Sequence, residues 1–244
     1  MALSNPAPIV VFDLDGTLID TAPDLIGTLN LVFAEEGLPA IALDQARSLV
    51  GAGIRPLIER ALVQQDRNLP TEEVDAMFAR YIRHYQDHIA DQSRPYPGLE
   101  DCLDRLVEDG FRLAVCTNKY ESLSLRLLDA LGLTQRFAAI CGQDTFPMKK
   151  PDPETLRLTI ARAGGDFARA VMVGDSETDV RLARAASIPV IGVDFGYTPI
   201  PMAEMAPDRL IGHFDGLRRA VMELVPGIGD MPRENTTAPD VKAD

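Results

Sequence analysis

Short runs of near-continuous apolar, β-favouring residues recur along this chain, each separated from the next by stretches of helical pattern: Ile9 to Phe12, Leu113 to Cys116, Phe137 to Cys141, Ala170 to Val173 and Val190 to Val193, with a weaker run near Leu210 and Ile211. A strand with one face in water alternates apolar and polar residues, whereas a strand apolar at every position has both faces covered. The pattern therefore predicts a doubly wound α/β fold, a parallel sheet sandwiched between helices. Helices are expected over Leu99 to Glu108 and over Ser122 to Leu131, the second closed by Gly132 as its C-cap.

One interval breaks the alternation. From about Asp20 to Arg94 there is no convincing strand, and that is far more chain than a crossover between parallel strands needs. Thr21-Ala22-Pro23-Asp24 reads as a capping box with an early proline, opening a helix. Val74, Met77, Phe78, Tyr81, Ile82, Tyr85 and Ile89 then share one apolar helical face. We read residues 20–94 as an inserted all-helical cap domain, and residues 1–19 plus 95–225 as the Rossmann-like α/β core. Arg94-Pro95-Tyr96-Pro97-Gly98 has the composition of a hinge on the return path. Residues 226–244, rich in Pro, Gly, Asn, Thr and acids without periodicity, read as a disordered tail.

The 37 acidic against 24 basic residues give a net charge of -13, which repels nucleic acid and anionic lipid. Neither is an expected partner. Any site for a phosphorylated ligand must then carry its own local cations. No apolar run approaches the length of a membrane span, and no secretory signal pattern is present. Cys102, Cys116 and Cys141 are odd in number, and two lie in strand-like runs, so they read as reduced thiols of a cytoplasmic protein. The sequence specifies no oligomeric state.

Four polar clusters follow the strands at what should be the carboxyl edge of the sheet, where open α/β sheets bind ligands. Asp13-Leu14-Asp15-Gly16-Thr17 comes directly after Ile9-Val10-Val11-Phe12, which puts two carboxylates at the end of a buried strand. Buried carboxylates need partners, and for two acids aimed the same way a divalent cation is the economical one. Thr117-Asn118 offers a hydroxyl and an amide to an oxyanion. Lys150 precedes Pro151-Asp152-Pro153, which reads as a helix N-terminus. A lysine there opposes the helix dipole and is better explained with an anion between them. Gly174-Asp175-Ser176-Glu177-Thr178-Asp179 brings further acids to another strand tip.

Together these clusters, in this order, resemble the haloacid dehalogenase superfamily of phosphohydrolases, and the match covers almost the whole chain. Within it the chain is similar to the bacterial phosphoglycolate phosphatases, through Thr21-Ala22-Pro23-Asp24-Leu25, Val50-Gly51-Ala52-Gly53, Val115 to Lys119, Lys150 to Pro153 and Val171 to Ser176. The resemblance implies a Rossmann-like core with a small helical cap, a Mg2+ requirement and an aspartyl-phosphate intermediate. On that footing Asp13 is the nucleophile and Asp15 the acid that protonates the leaving alkoxide, then the base for water. Magnesium is expected on Asp13, the backbone carbonyl of Asp15 and Asp175, with Asp179 behind them. Lys150, Thr117 and Asn118 are expected to bind the phosphate. The substrate is then a small phosphorylated metabolite, 2-phosphoglycolate by resemblance. Phosphatases of sugar phosphates or pyrophosphate, and a sugar phosphomutase, are the alternatives.

In the cap, Gly51 and Gly53 lack the preceding strand and third glycine of a dinucleotide loop, so they are read either as approaching the substrate or as a plain interhelical turn. Arg55, just beyond them, is a candidate partner for a substrate carboxylate, with a solvated arginine as the plainer reading. His84 and His88 lie one helical turn apart without an evident third ligand, which argues against a metal site there.

Overall fold

The computed structural model describes residues 6–225; the tail read at 226–244 lies outside the described residues. Six parallel strands form one sheet: β1 (Ala7–Phe12), β4 (Arg112–Cys116), β5 (Ala139–Cys141), β6 (Gly165–Gly174), β7 (Val190–Val193) and β8 (Arg209–Ile211), in the order β5-β4-β1-β6-β7-β8. The chain moves outward from β1 to β5 on one side, then returns beside β1 and moves outward to β8. Strand order thus reverses at β1, and a crevice opens at the carboxyl end of such a switch point.

Alternate side chains of β1 feed two different cores. Val10 and Phe12 join Leu113, Val115, Val171 and Val173 with the helices α5 (Leu99–Glu108), α6 (Glu121–Ala130) and α9 (Leu217–Leu224). Ile9 and Val11 face the other way, to Ala114, Met172 and the helices α7 (Pro153–Arg162) and α8 (Glu177–Ala186). Cys102, Cys116 and Cys141 are buried and unpaired, and burial pushes the thiols of Cys102 and Cys116 up to about 11 and about 12. Strand β6 begins five residues before the apolar run at Ala170, because its first half is only partly buried and carries no apolar signature.

Four helices, α1 (Ala22–Glu35), α2 (Leu43–Ala46), α3 (Ile54–Gln64) and α4 (Thr71–Asp87), fill the long interval. Two short strands, β2 (Ile19–Asp20) and β3 (Arg94–Pro95), pair antiparallel where the chain leaves and returns. Two residues each are too short for any periodicity, and the sequence reading did not contain them. The apolar face read from sequence appears on α4, with Val74, Met77, Tyr81 and Tyr85 buried. His84 and His88 stack on each other with ring centroids 4.2 Å apart, and His88 meets Asp91. No helix among the described residues is long and apolar enough to cross a membrane.

The capping box expected at Thr21 and Asp24 is not formed. Thr21 has helical backbone angles and no capping bond, and its hydroxyl donates to Asp15 Oδ1 at 2.8 Å. The Asp24 carboxylate turns instead to the returning chain, accepting from Gln92 N–H at 3.0 Å, Ser93 N–H at 2.7 Å and the Ser93 hydroxyl at 2.6 Å. Three convergent donors satisfy a buried carboxylate better than one capping bond. Asp24→Ala strands those donors, so we expect a loss of about 2–4 kcal/mol. Calorimetry should read this as a Tm lower by roughly 5–10 °C.

Candidate active site

Asp13 is the first residue beyond β1, at the switch point. Its backbone N–H donates to Val173 O at 2.9 Å, which anchors the strand tip against β6. Its Oδ1 accepts from Leu14 N–H at 2.7 Å and from Lys150 at 2.9 Å. Among the described residues no donor bonds its Oδ2, so one oxygen is fixed and the other is free of protein donors.

Lys150 comes from the loop between β5 and α7. Its ammonium also donates to Asp179 Oδ1 at 2.7 Å, and its side chain is 1% exposed. The anion expected beside this lysine is therefore supplied by the protein itself. Burial alone would drive the Lys150 ammonium down, but Asp13 and Asp179 overcome it and hold the group above its ordinary range. Asp152 caps α7 as expected, accepting from Glu154 N–H at 2.9 Å.

Asp175, at the tip of β6, accepts from the Thr17 hydroxyl at 2.9 Å and from Tyr197 N–H at 2.8 Å. Gly16 makes that approach possible. Its φ is +83°, and a Cβ there would stand 2.5 Å from Asp175 Oδ2. Asp179, one turn into α8, receives Lys150 on one oxygen and both Ser176 N–H and Ser176 hydroxyl on the other.

Carboxylate oxygens of Asp13, Asp175 and Asp179 all lie within 4.8 Å of one another. Three buried carboxylates against one ammonium leave two negative charges uncompensated. Burial, with repulsion from Asp179, raises Asp13 to about 6 despite Lys150, and burial with Asp13 and Asp179 raises Asp175 to about 8. All-oxygen donors carrying an excess of two charges suit a hard divalent cation, so the residues present fit Mg2+.

The Asp15 carboxylate is not part of this cluster. It receives Lys119 on both oxygens, at 2.9 and 3.1 Å, besides Thr21. Lys119 is 1% exposed and lies 4.8 Å from the centre of the Tyr85 ring. In the sequence Lys119 closes the Val115 to Lys119 stretch without a pattern that assigns it a task. Its position two residues past Thr117 at a strand tip was the available signal. Tyr197 was missed altogether: its hydroxyl donates to Asp20 at 2.6 Å and accepts from Ala22 N–H at 2.9 Å, which joins the strand tip to the start of α1.

Thr117 and Asn118 are buried beside these groups. The Thr117 hydroxyl oxygen accepts from Lys119 N–H at 3.2 Å, and Asn118 Oδ1 has no partner among the described residues. Gly51 and Gly53, both at positive φ, line a small cavity together with Asp15 and Lys119. Arg55 is not part of it. The guanidinium is 37% exposed, pairs with Glu59 at 3.1 Å and with Asp75, and lies over the Phe78 ring, as the plainer reading of a surface arginine has it.

Comparison with known proteins gives a consistent picture. The model of the haloacid dehalogenase-like hydrolases matches residues 10–193. The chain is 53% identical over 210 residues to a phosphoglycolate phosphatase of Mesorhizobium japonicum, covering 86% of this chain and 92% of that protein. It is 48% identical over 217 residues to a phosphoglycolate phosphatase of Agrobacterium fabrum, covering 89% and 93%. Among solved structures, a predicted phosphoglycolate phosphatase from Haemophilus somnus superposes with a TM-score of 0.81 at 27% identity, covering 89% of this chain and 99% of that one. CbbY from Rhodobacter sphaeroides, solved in complex with phosphate, superposes with a TM-score of 0.75 at 26% identity, covering 89% and 100%.

Proposed function

Because this chain belongs to the haloacid dehalogenase-like hydrolases, we propose that it is a magnesium-dependent phosphomonoesterase that hydrolyses 2-phosphoglycolate through an aspartyl-phosphate on Asp13. The observation that carries the reading is the charge arrangement at the tip of β1. A carboxylate with one oxygen tied down by Leu14 and Lys150 stands in a buried group of three acids and one ammonium. The names of the relatives supply the substrate.

Phosphoryl transfer asks the protein mainly for position and charge. Asp13 Oδ2 attacks phosphorus as the ester P–O bond breaks, and Asp15 gives its proton to the departing glycolate oxygen. Asp15 then takes a proton from water, which attacks phosphorus and frees Asp13. The pairing of Lys119 and Thr21 with Asp15 holds that carboxyl in one orientation between its two tasks. Lys150, Thr117 and Asn118 face the phosphoryl oxygens. A magnesium ion held by Asp13, the Asp15 carbonyl and Asp175 would neutralise charge on those oxygens. The helical segment 20–94 serves as a cap that keeps bulk water from the site during the first step.

Phosphate release should be measured on 2-phosphoglycolate, sugar phosphates and pyrophosphate, with and without magnesium. The highest kcat/KM is expected for 2-phosphoglycolate, with inorganic phosphate appearing in step with substrate loss. An isomerised sugar phosphate without comparable phosphate release would replace this reading with the mutase.

A further inference from the structure

The Asp15 carboxylate and the Lys119 ammonium form the polar end of a cavity of about 20 Å³, walled by Leu25, Ile54 and Leu57 and rimmed by the chain from Val50 to Gly53. That is room for one or two waters, so the cavity admits the carboxylate end of a small leaving group and is far too small for a sugar ring. The rim is seated tightly. Gly53 has φ +101°, and a Cβ there would come within 3.2 Å of Asn118 O and 3.4 Å of Gln143 Oε1.

Since Asp15 lines this cavity, a leaving group whose ester oxygen meets Asp15 extends into it. If the leaving group carries a carboxylate, apolar walls make an unpaired charge costly, so the cavity must supply a cation. The candidates can be followed one by one. Lys150 pairs with Asp13 and Asp179 and does not line the cavity. Arg47 pairs with Asp20 at 3.0 Å, and Arg55 with Glu59 and Asp75. Among the described residues lining the cavity, Lys119 is the single cation.

Lys119 is also fixed in place before any ligand arrives. The Tyr85 ring lies on one side of the ammonium and Asp15 on another, and Asp15 takes at most two of its three protons. A cation immobilised in advance gives up little further freedom on binding.

We propose that Lys119 is the specificity-determining residue of the site, binding the carboxylate of a two-carbon leaving group in the cavity beneath the 50–53 loop. The cation that selects the substrate thus comes from the core strand tip and not from the helical segment. This rests on the reading of the site as a 2-phosphoglycolate phosphatase.

The test is the ratio of kcat/KM on 2-phosphoglycolate to that on ethyl phosphate, which has a two-carbon leaving group without the carboxylate. Lys119→Met disturbs Asp15 equally for both esters, so a common loss cancels in the ratio. The wild type should prefer the acid ester, and Lys119→Met should cut that preference by roughly ten- to a hundredfold, the worth of a charge-assisted hydrogen bond. A wild-type preference left unchanged in Lys119→Met overturns the proposal and leaves the phosphatase reading standing. A wild type indifferent to the carboxylate overturns the phosphoglycolate reading and this inference with it. Should Lys119→Met not fold, Asp15→Asn and Asp15→Asn/Lys119→Met remove the stranded charge, and calorimetry reads binding without turnover. Loss of Lys119 should then weaken 2-phosphoglycolate at least tenfold relative to ethyl phosphate; equal weakening overturns the proposal.

Discussion

Asp13→Asn should lower turnover of 2-phosphoglycolate by at least about a thousandfold while leaving the fold intact, since removing a covalent nucleophile takes away a step that nothing else in the site replaces. The amide nearly matches the carboxylate in shape. It can still accept from Leu14 N–H and Lys150 through its carbonyl oxygen, the two contacts that Asp13 Oδ1 makes now. It cannot become the acceptor of a phosphoryl group. The substitution also removes one negative charge from a cluster that, fully ionised, carries two in excess, so the variant should be at least as stable as the parent without metal. Thermal unfolding together with single-turnover kinetics checks both halves. Turnover above a few per cent of the parent, in protein free of deamidated product, would exclude Asp13 as the nucleophile.

The acids at the ends of β1 and β6 were legible because each follows a strand that is apolar at every position. A charge directly after such a run lies at the sheet edge whatever the remaining chain does. Lys150 was legible for a related reason, since a lysine ahead of a helix N-terminus needs an anion nearby. The sequence could not show that the anions are Asp13 and Asp179, because that contact is set by how two loops meet over the sheet.

Residues whose task depends on a distant partner were read less well. Asp24 looks like a local cap, yet its donors lie 68 and 69 positions away at Gln92 and Ser93. Arg55 entered as a carboxylate partner only by proximity to a glycine loop, and Glu59 one helical turn on supports the solvated reading by offering it a partner on the same helix. Lys119 carried no pattern of its own. Its meaning comes from burial beneath helices drawn from 20–94, an interval with no strand to fix its position from sequence.

Removing the metal should have a pH-dependent cost. In the folded protein without metal, Asp175 titrates at about 8 and Asp13 at about 6, both raised chiefly by burial, whereas in the unfolded chain both return to about 3.9. Between those limits the folded state holds more protons than the unfolded state, so stability falls as pH rises from about 4 to 8 and levels off above. Chelated protein should accordingly lose roughly 10–20 °C of Tm between pH 5 and pH 9, for a cost of about 5 kcal/mol in a chain of this size. Magnesium supplies the missing positive charge to the deprotonated cluster. It should raise Tm strongly at pH 8 and little at pH 5, and restore turnover that chelation lowers by a hundredfold or more. Calcium, larger and looser in its coordination, should restore stability better than turnover. Asp175→Asn removes the group with the higher pKa and should flatten the pH slope of the chelated protein. A Tm that climbs with pH in chelator, or full turnover there, would remove both the metal and the charge argument on which the site is built.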